Sequence, residues 1–219
     1  MIILVAIMII VPVYNSKAFQ AHLINHSQTK IAQKLTPQAV DQAKHNQGNY
    51  NGKLTADANN QTVLKNRLAA AHVQPLGVMS IPAIQMVNPI LNGYGNDGAY
   101  LALGACTMHP NQVMGQSNYA LAGHYMASNT VFHSLSKTQV GMHVYTTDLH
   151  HIYDYQVTSV QTIDDTDEQV IAPTTQPTIT LITCVGLNET PYRTCVKGKL
   201  VQTLPSSATN LKKYHLKIG

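Results

Sequence analysis

Three side chains of this 219-residue chain could together carry out nucleophilic chemistry. Cys184 closes the strand-like run "TLITC". Side chains alternate faces along a strand, so Thr180, Ile182 and Cys184 share one face and Leu181 and Thr183 the other. A thiol at a strand end has its direction fixed by the sheet and lies open at the rim; a buried, inert cysteine is the competing explanation. His124 ends "SNYALAGH". On a strand it shares a face with Asn118, Ala120 and Ala122, whose alanines leave room beside the ring, while Tyr119 and Leu121 face the core. A lone histidine is usually structural, but an imidazole able to pair with a thiol is what a nucleophilic cysteine needs. Arg193 heads "RTCVKGKL", a short loop after Cys184. Its permanent charge favours a thiolate, and its N–H donors can hold a carbonyl or a developing oxyanion. Alone it would read as a surface arginine.

The elements that must position these residues are short strands. From about residue 73 the runs "GVMSIPAIQMVNPI", "SNYALAGH", "GMHVYTTDLHHIYDYQVTSVQTI", "TITLITC" and "RTCVKGKLVQTL" follow one another, separated by Gly, Pro and Asn. This spacing predicts an all-β barrel or sandwich. "HVYTTDLHHIYDYQV" reads as a hairpin turning at Asp148-Leu149-His150, and "TVFHSLSK" as one or two helical turns. Residues 15–72 are rich in Gln, Asn, Lys and Ala, with Phe19, Leu23, Ile31 and Leu35 near helical spacing. They read as a polar, partly helical stalk or linker; a helical layer packed on the core is the alternative. "MIILVAIMIIVPVY" is apolar but shorter than the roughly 20 residues of a membrane span. Residues 1–14 read as an incomplete N-terminal membrane anchor, with a signal-peptide core or a buried helix as the other readings. Residues 73–204 are then the catalytic barrel and 205–219 a basic, solvated tail.

Composition narrows the function classes. Only 11% of residues are charged and the net charge is +4, much of it in Lys212, Lys213 and Lys217. That is too weak to suggest nucleic acid, and no basic–aromatic interleaving accompanies it. Cys106, Cys184 and Cys195 are an odd number with no C-x-x-C pair, so neither a disulfide framework nor a zinc knuckle is indicated. His150 and His151 would point to opposite faces of a strand, and His124, His133 and His143 follow no ligand spacing; zinc catalysis is not expected.

"NYALAGH", "TLITC" and an arginine heading the next strand, in this order, resemble the class A sortases. The resemblance covers roughly 74–203 and includes "IPAIQMVNPI" and "LALGACTMHPNQVMGQSNYALAGH". It implies an eight-stranded β-barrel with short helices. It implies a cysteine transpeptidase anchored by its N-terminus on the outer face of a Gram-positive cell membrane. Its partners would be surface proteins with a C-terminal LPxTG-like sorting signal and a lipid-linked peptidoglycan precursor amine. By motif position Cys184 would be the nucleophile, His124 the general acid/base, and Arg193 the group that stabilises the oxyanion or positions substrate. By strand parity Ala122 and Ile182 belong to the groove. Thr183 precedes the nucleophile, and Val170 and Ile171 resemble positions that contact the apolar part of the signal.

Cys195 lies two residues after Arg193, on the same strand face, and so belongs to the groove as well. A reversible disulfide with Cys184 would require Cα atoms within about 7 Å; plain packing is the alternative. Some class A sortases are activated by calcium. Here Asp164, Asp165, Asp167 and Glu168 face a partner loop offering only Asp97, short of the six to eight oxygens calcium takes. A solvated acidic loop, with no cofactor or metal, is the expectation. Competing functions are a cysteine peptidase that only hydrolyses, a pilus-polymerising sortase and a non-catalytic wall-binding module. The polar C-terminus, "SSATNLKKYHLKIG", disfavours the pilus class, which usually ends in a membrane helix.

Overall fold

The computed structural model describes residues 16–51, 70, 72–126, 128–187 and 190–217. Its strands are β1 (Pro75–Ile81), β2 (Met86–Leu91), β3 (Ala105–Thr107), β4 (Asn118–Ala122), β5 (His143–Thr147), β6 (His151–Asp164), β7 (Thr178–Cys184) and β8 (Tyr192–Pro205). They close into an eight-stranded barrel in the order β1-β2-β3-β4-β7-β8-β6-β5. The predicted hairpin is the antiparallel β5–β6 pair, and "TVFHSLSK" contains a 3-10 turn at His133–Lys137. "GVMSIPAIQMVNPI" divides into β1 and β2 around a 3-10 turn at Pro82–Ile84.

Two pairings set up the site. β4 runs parallel to β7, with Ala122 beside Ile182, and β7 runs antiparallel to β8, with Cys184 opposite Arg193 and Ile182 opposite Cys195. Alternation divides these strands between two apolar clusters. Tyr119 and Leu121 of β4, Ile179 and Leu181 of β7 and Val196 of β8 join the main core with Met79, Ile81, Ile90, Val144, Tyr155 and Val157. Ala120, Ala122, Ile182 and Cys195 join a second cluster with Leu91, Leu101, Leu103, Cys106 and Val170. This division follows from the period of two along a strand.

The stretch read as a stalk contains two helices seated on the barrel. In α1 (Lys17–Ala32) the Ser16 hydroxyl caps the Phe19 N–H, and Gln20, Leu23, Ile24, Ser27, Gln28 and Ile31 form a buried stripe at helical spacing. Gln28 Nε2 donates to Asn88 Oδ1 (3.0 Å) and to the Leu103 carbonyl (3.1 Å). Half of the buried stripe is polar, which is why composition suggested a solvated segment. In α2 (Pro37–Lys44) Val40 and Ala43 are buried, and Lys44 pairs with Asp148 of the β5–β6 turn at 3.1 Å. The C-terminal residues fold back in the same way. After α3 (Ala208–Lys213), Leu216 packs with Val78 and Ile152, so this end is docked where its lysines suggested a solvated tail. Residues 1–14, read as an anchor, lie outside the described residues. Among the described residues no helix is long and apolar enough to cross a membrane.

Candidate active site

Cys184, His124 and Arg193 line one narrow cleft with Leu101, Ala122, Gly123, Ile182 and Thr183. The sequence brings them there by three routes. Cys184 is the last residue of β7, Arg193 faces it across the β7–β8 ladder, and His124 follows β4, which runs beside β7 in parallel. Main-chain bonds fix the approach of the histidine. Gly123 N–H donates to Ile182 O (3.2 Å), His124 N–H to Leu101 O (2.9 Å), and Phe132 N–H to His124 O (3.2 Å). The Thr183 hydroxyl donates to Gly123 O (2.8 Å), which ties β7 to the chain just before His124. A Cβ on Gly123 would come within 3.0 Å of both Val131 and Phe132, so glycine permits this close crossing.

The electrostatics favour neutral forms of the thiol and the imidazole. His124 is 5% exposed, and its Nε2 has no hydrogen-bond partner among the described residues. Desolvation lowers its pKa from 6.5 to about 4. Burial also pushes the Cys184 thiol above its ordinary value; Arg193 pulls it down and Asp165 pushes it up. Cys184 is half-buried, whereas Cys106 and Cys195 are buried. Burial drives the Cys106 thiol far up and that of Cys195 to about 11. Cys184 is therefore the most accessible of the three thiols.

Arg193 is itself buried. Its Nη1 donates to the carbonyls of Thr190 and Tyr192, and its Nη2 to Asp165 Oδ2 at 3.0 Å. A buried guanidinium needs such partners to offset desolvation.

The anticipated groove residues gather along the same face. Val170 lies in the 3-10 turn Glu168–Ile171 and packs with Ala122, Ile182 and Cys195, with Ile171 against that cluster. Cys195 is opposite Ile182, diagonal to Cys184. Diagonal neighbours across a ladder stand about 7–8 Å apart, beyond the reach of a disulfide without backbone movement. Cys195 is buried in the apolar cluster that contains Ile182 and Val170.

Sequence reasoning missed four contributors. Leu101 walls the cleft and accepts the His124 N–H. Asn118 Nδ2 donates to the carbonyls of Val170 (3.1 Å) and Ala172 (3.0 Å). The Thr180 hydroxyl donates to Asn118 Oδ1 (2.8 Å). Asp165, considered above for calcium, holds Arg193. Asn118 and Thr180 were already visible as members of the His124 and Cys184 faces by parity. A larger cleft of about 640 Å³ opens where β4 begins, between Lys44, Tyr50, Thr107, Gln112 and Asp148. Its lining contains no cysteine and shares no residue with the cleft around Cys184.

A half-buried thiol, a desolvated imidazole and a fixed guanidinium meet at the ends of neighbouring barrel strands, the group types that cysteine acyl transfer requires. The sortase-domain family profile matches residues 79–201, and the chain belongs to the sortase family. Sortase A of Listeria monocytogenes is 41% identical over 129 residues, covering 58% of this chain and 57% of that relative. Sortase A of Streptococcus agalactiae is 31% identical over 193 residues, covering 85% of this chain and 76% of that relative. The solved structure of Listeria monocytogenes sortase A superposes with a TM-score of 0.62 at 37% identity, covering 64% of this chain and 96% of that one. The match therefore spans less than two thirds of the length of the Listeria relative.

Proposed function

We propose that this chain is a class A sortase: a cysteine transpeptidase that cuts an LPxTG-like sorting signal between Thr and Gly and joins the exported protein to a cell-wall precursor amine. The observation that carries this reading is the convergence of Cys184, His124 and Arg193 on one cleft, with Ala122, Ile182, Val170 and Ile171 along the same face. In the first step the Cys184 thiol passes its proton to His124 as the sulfur bonds to the Thr carbonyl carbon. The electron pair of the C=O moves onto oxygen, where Arg193 stabilises it. The C–N bond then breaks, His124 delivers a proton to the departing glycine amine, and a thioester remains. In the second step the acceptor amine attacks the thioester carbon, His124 takes its proton, and sulfur leaves. A thiol suits both halves, being a strong nucleophile that yields an amine-reactive ester.

The pKa shifts indicate how the cycle begins. Near neutral pH the free site holds mostly thiol and neutral imidazole, so the thiolate–imidazolium pair is a minor form. A signal peptide that pairs with Arg193 and covers Cys184 places the attack inside a low-dielectric cleft, where charge stabilisation by the guanidinium is strongest. The sorted proteins and the lipid-linked amine place the working enzyme at the outer face of a Gram-positive membrane.

The test is a fluorogenic LPxTG-type peptide incubated with the enzyme, with and without a glycine or alanine amine, beside Cys184→Ala. Cys184-dependent cleavage with a ligated product is expected. Cleavage that never yields a ligated product would make the protein a hydrolytic peptidase. No cleavage of any sorting-motif peptide would refute the sortase substrate.

A further inference from the structure

The guanidinium of Arg193 is held from two sides by different parts of the chain. Nη1 faces the Thr190 and Tyr192 carbonyls, next to Arg193 in sequence. Nη2 faces Asp165, 28 residues away, just past the end of β6. The ladder explains why Asp165 is the acid that arrives there. Ile163 pairs with Arg193 and Asp164 with Tyr192, so the chain leaves the sheet at Asp165 beside the start of β8. Two further bonds hold that exit. Asp165 N–H donates to Pro191 O at 2.7 Å. The Asp164 carboxylate accepts from both the N–H and the hydroxyl of Thr166, shaping the turn. The neighbouring acids Asp164, Asp167 and Glu168 form no ion pair with Arg193, whose side chain is only 6% exposed.

We propose that Asp165 is a positioning residue for catalysis: its carboxylate fixes the Arg193 guanidinium and so aims the free N–H groups at the oxyanion of the acyl-transfer step. This rests on the transpeptidase reading of the cleft. A guanidinium has five N–H donors in a rigid fork, and fixing two or three of them determines the direction of the rest. With Nη1 alone held, the plane can still rock about the contacts to the Thr190 and Tyr192 carbonyls. The Asp165 bond removes that freedom before substrate arrives, the preorganisation on which oxyanion stabilisation depends. It has an opposing electrostatic effect, because a carboxylate near Cys184 disfavours the thiolate while Arg193 favours it. The groups bearing on the thiol are Arg193 from β8, Asp165 from the segment after β6, and His124 from the end of β4. Near neutral pH the desolvated His124 ring carries no charge.

Positioning and charge thus predict opposite signs in two assays on Asp165→Asn, a variant of the same shape. The first is the pH profile of iodoacetamide alkylation at Cys184, read by mass spectrometry of the peptide containing it. Asp165→Asn should move the profile to lower pH and alkylate about twofold to threefold faster at pH 7, a modest effect because Asp165 is partly solvated. Arg193→Gln should move it the other way. The second is turnover of the sorting-motif peptide. Asp165→Asn should lower kcat about tenfold with KM within twofold, since small misplacements of catalytic groups are costly. Asp165→Glu should recover most of that loss, and in an Arg193→Gln background Asp165→Asn should cost less than twofold. A profile moved along the pH axis with the same plateau at high pH separates this from general destabilisation, which would raise alkylation of the half-buried thiol at every pH. Equal losses from Asp165→Asn in both backgrounds, or unchanged turnover, would overturn the inference. If the wild-type enzyme cleaves no sorting-motif peptide, the functional reading fails separately. The alkylation arm then decides: opposite shifts for the two variants retain the coupling, and no shift removes it.

Discussion

Replacing Asn118 with alanine should unfasten the segment that brings Val170 to the groove. Asn118 is 8% exposed and makes three bonds: Nδ2 to Val170 O at 3.1 Å, Nδ2 to Ala172 O at 3.0 Å, and Oδ1 from the Thr180 hydroxyl at 2.8 Å. A buried hydrogen bond contributes about 1 kcal/mol net, and more is lost when a partner is left unsatisfied. The Thr180 hydroxyl can fall back on Val170 O, already 3.3 Å away, so one of the three losses is partly recovered. The expected cost is about 2–3 kcal/mol, or about 5–10 °C in Tm for a chain of this size. Asn118→Asp should be worse at pH 7, because a carboxylate oxygen would then face two carbonyl oxygens. Its excess cost should shrink as pH falls, since the buried, unfavourably placed carboxyl protonates early and can then donate. In function, KM for the sorting-motif peptide should rise about fivefold as the Val170 wall loosens, with kcat within twofold, because a weakened ground-state contact acts mainly on KM. The reactive residues lie at the far ends of β4 and β7 from Asn118. Urea unfolding and steady-state cleavage measure both effects. A loss below about 1 kcal/mol together with unchanged KM would show that the Glu168–Ile171 turn holds its place without these bonds.

Two further outcomes follow from groups already described. His124 should make stability depend on pH: its folded pKa of about 4 lies below the ordinary 6.5, so the unfolded chain binds the proton more readily. The contribution of its neutral form is complete above 6.5 and is lost as pH falls toward 4, about 3 kcal/mol in all; an acid titration of His124→Gln that loses as much stability over that window would refute the assignment. Gly77 has φ of 151°, and a Cβ there would stand 1.9 Å from Thr147 O of the neighbouring strand. Gly77→Ala should therefore part β1 from β5 at that point, costing at least about 3 kcal/mol, and a Tm within 2 °C of wild type, against the roughly 2–4 °C expected per kcal/mol, would contradict the close approach.

The strand that ends on Cys184 and the one that carries Arg193 near its start were legible in the sequence. A short turn between two alternating runs leaves few ways to pair them, and the observed register sets these two residues opposite each other. The meeting of His124 with Cys184 was not readable from local pattern, because it depends on a parallel β4–β7 pair separated by the whole β5–β6 hairpin. The ordered motifs carried that information only through their resemblance to a family. Asp165 was hidden for a different reason. In "DDTDE" the acids look equivalent, and only the β6–β8 ladder selects the one that reaches Arg193. Polar composition concealed the helical layer, since Gln20, Ser27 and Gln28 are buried beside Leu23, Ile24 and Ile31. At the other end a lysine-rich segment concealed Leu216, which is 2% exposed.

The two faces of β4 and β7 explain why a site made of three separate segments can be accurate. Tyr119, Leu121, Ile179 and Leu181 are each at most 1% exposed. A slip of one residue in either strand would exchange these large side chains with Ala120, Ala122, Thr180 and Ile182 between the two buried faces. The misfit would far exceed the energy of any contact within the cleft, since each large side chain replaced by a small one in a packed core costs about 2–5 kcal/mol. The register is therefore held by the core, and the positions of Cys184 and His124 at the strand ends follow from it. Only the guanidinium, at the tip of a long side chain, lies beyond the control of register. It is also the reactive group with its own set of side-chain bonds, to Asp165, Thr190 and Tyr192. Substitutions in the barrel core should thus damage folding and activity together, whereas substitutions around Arg193 should separate them.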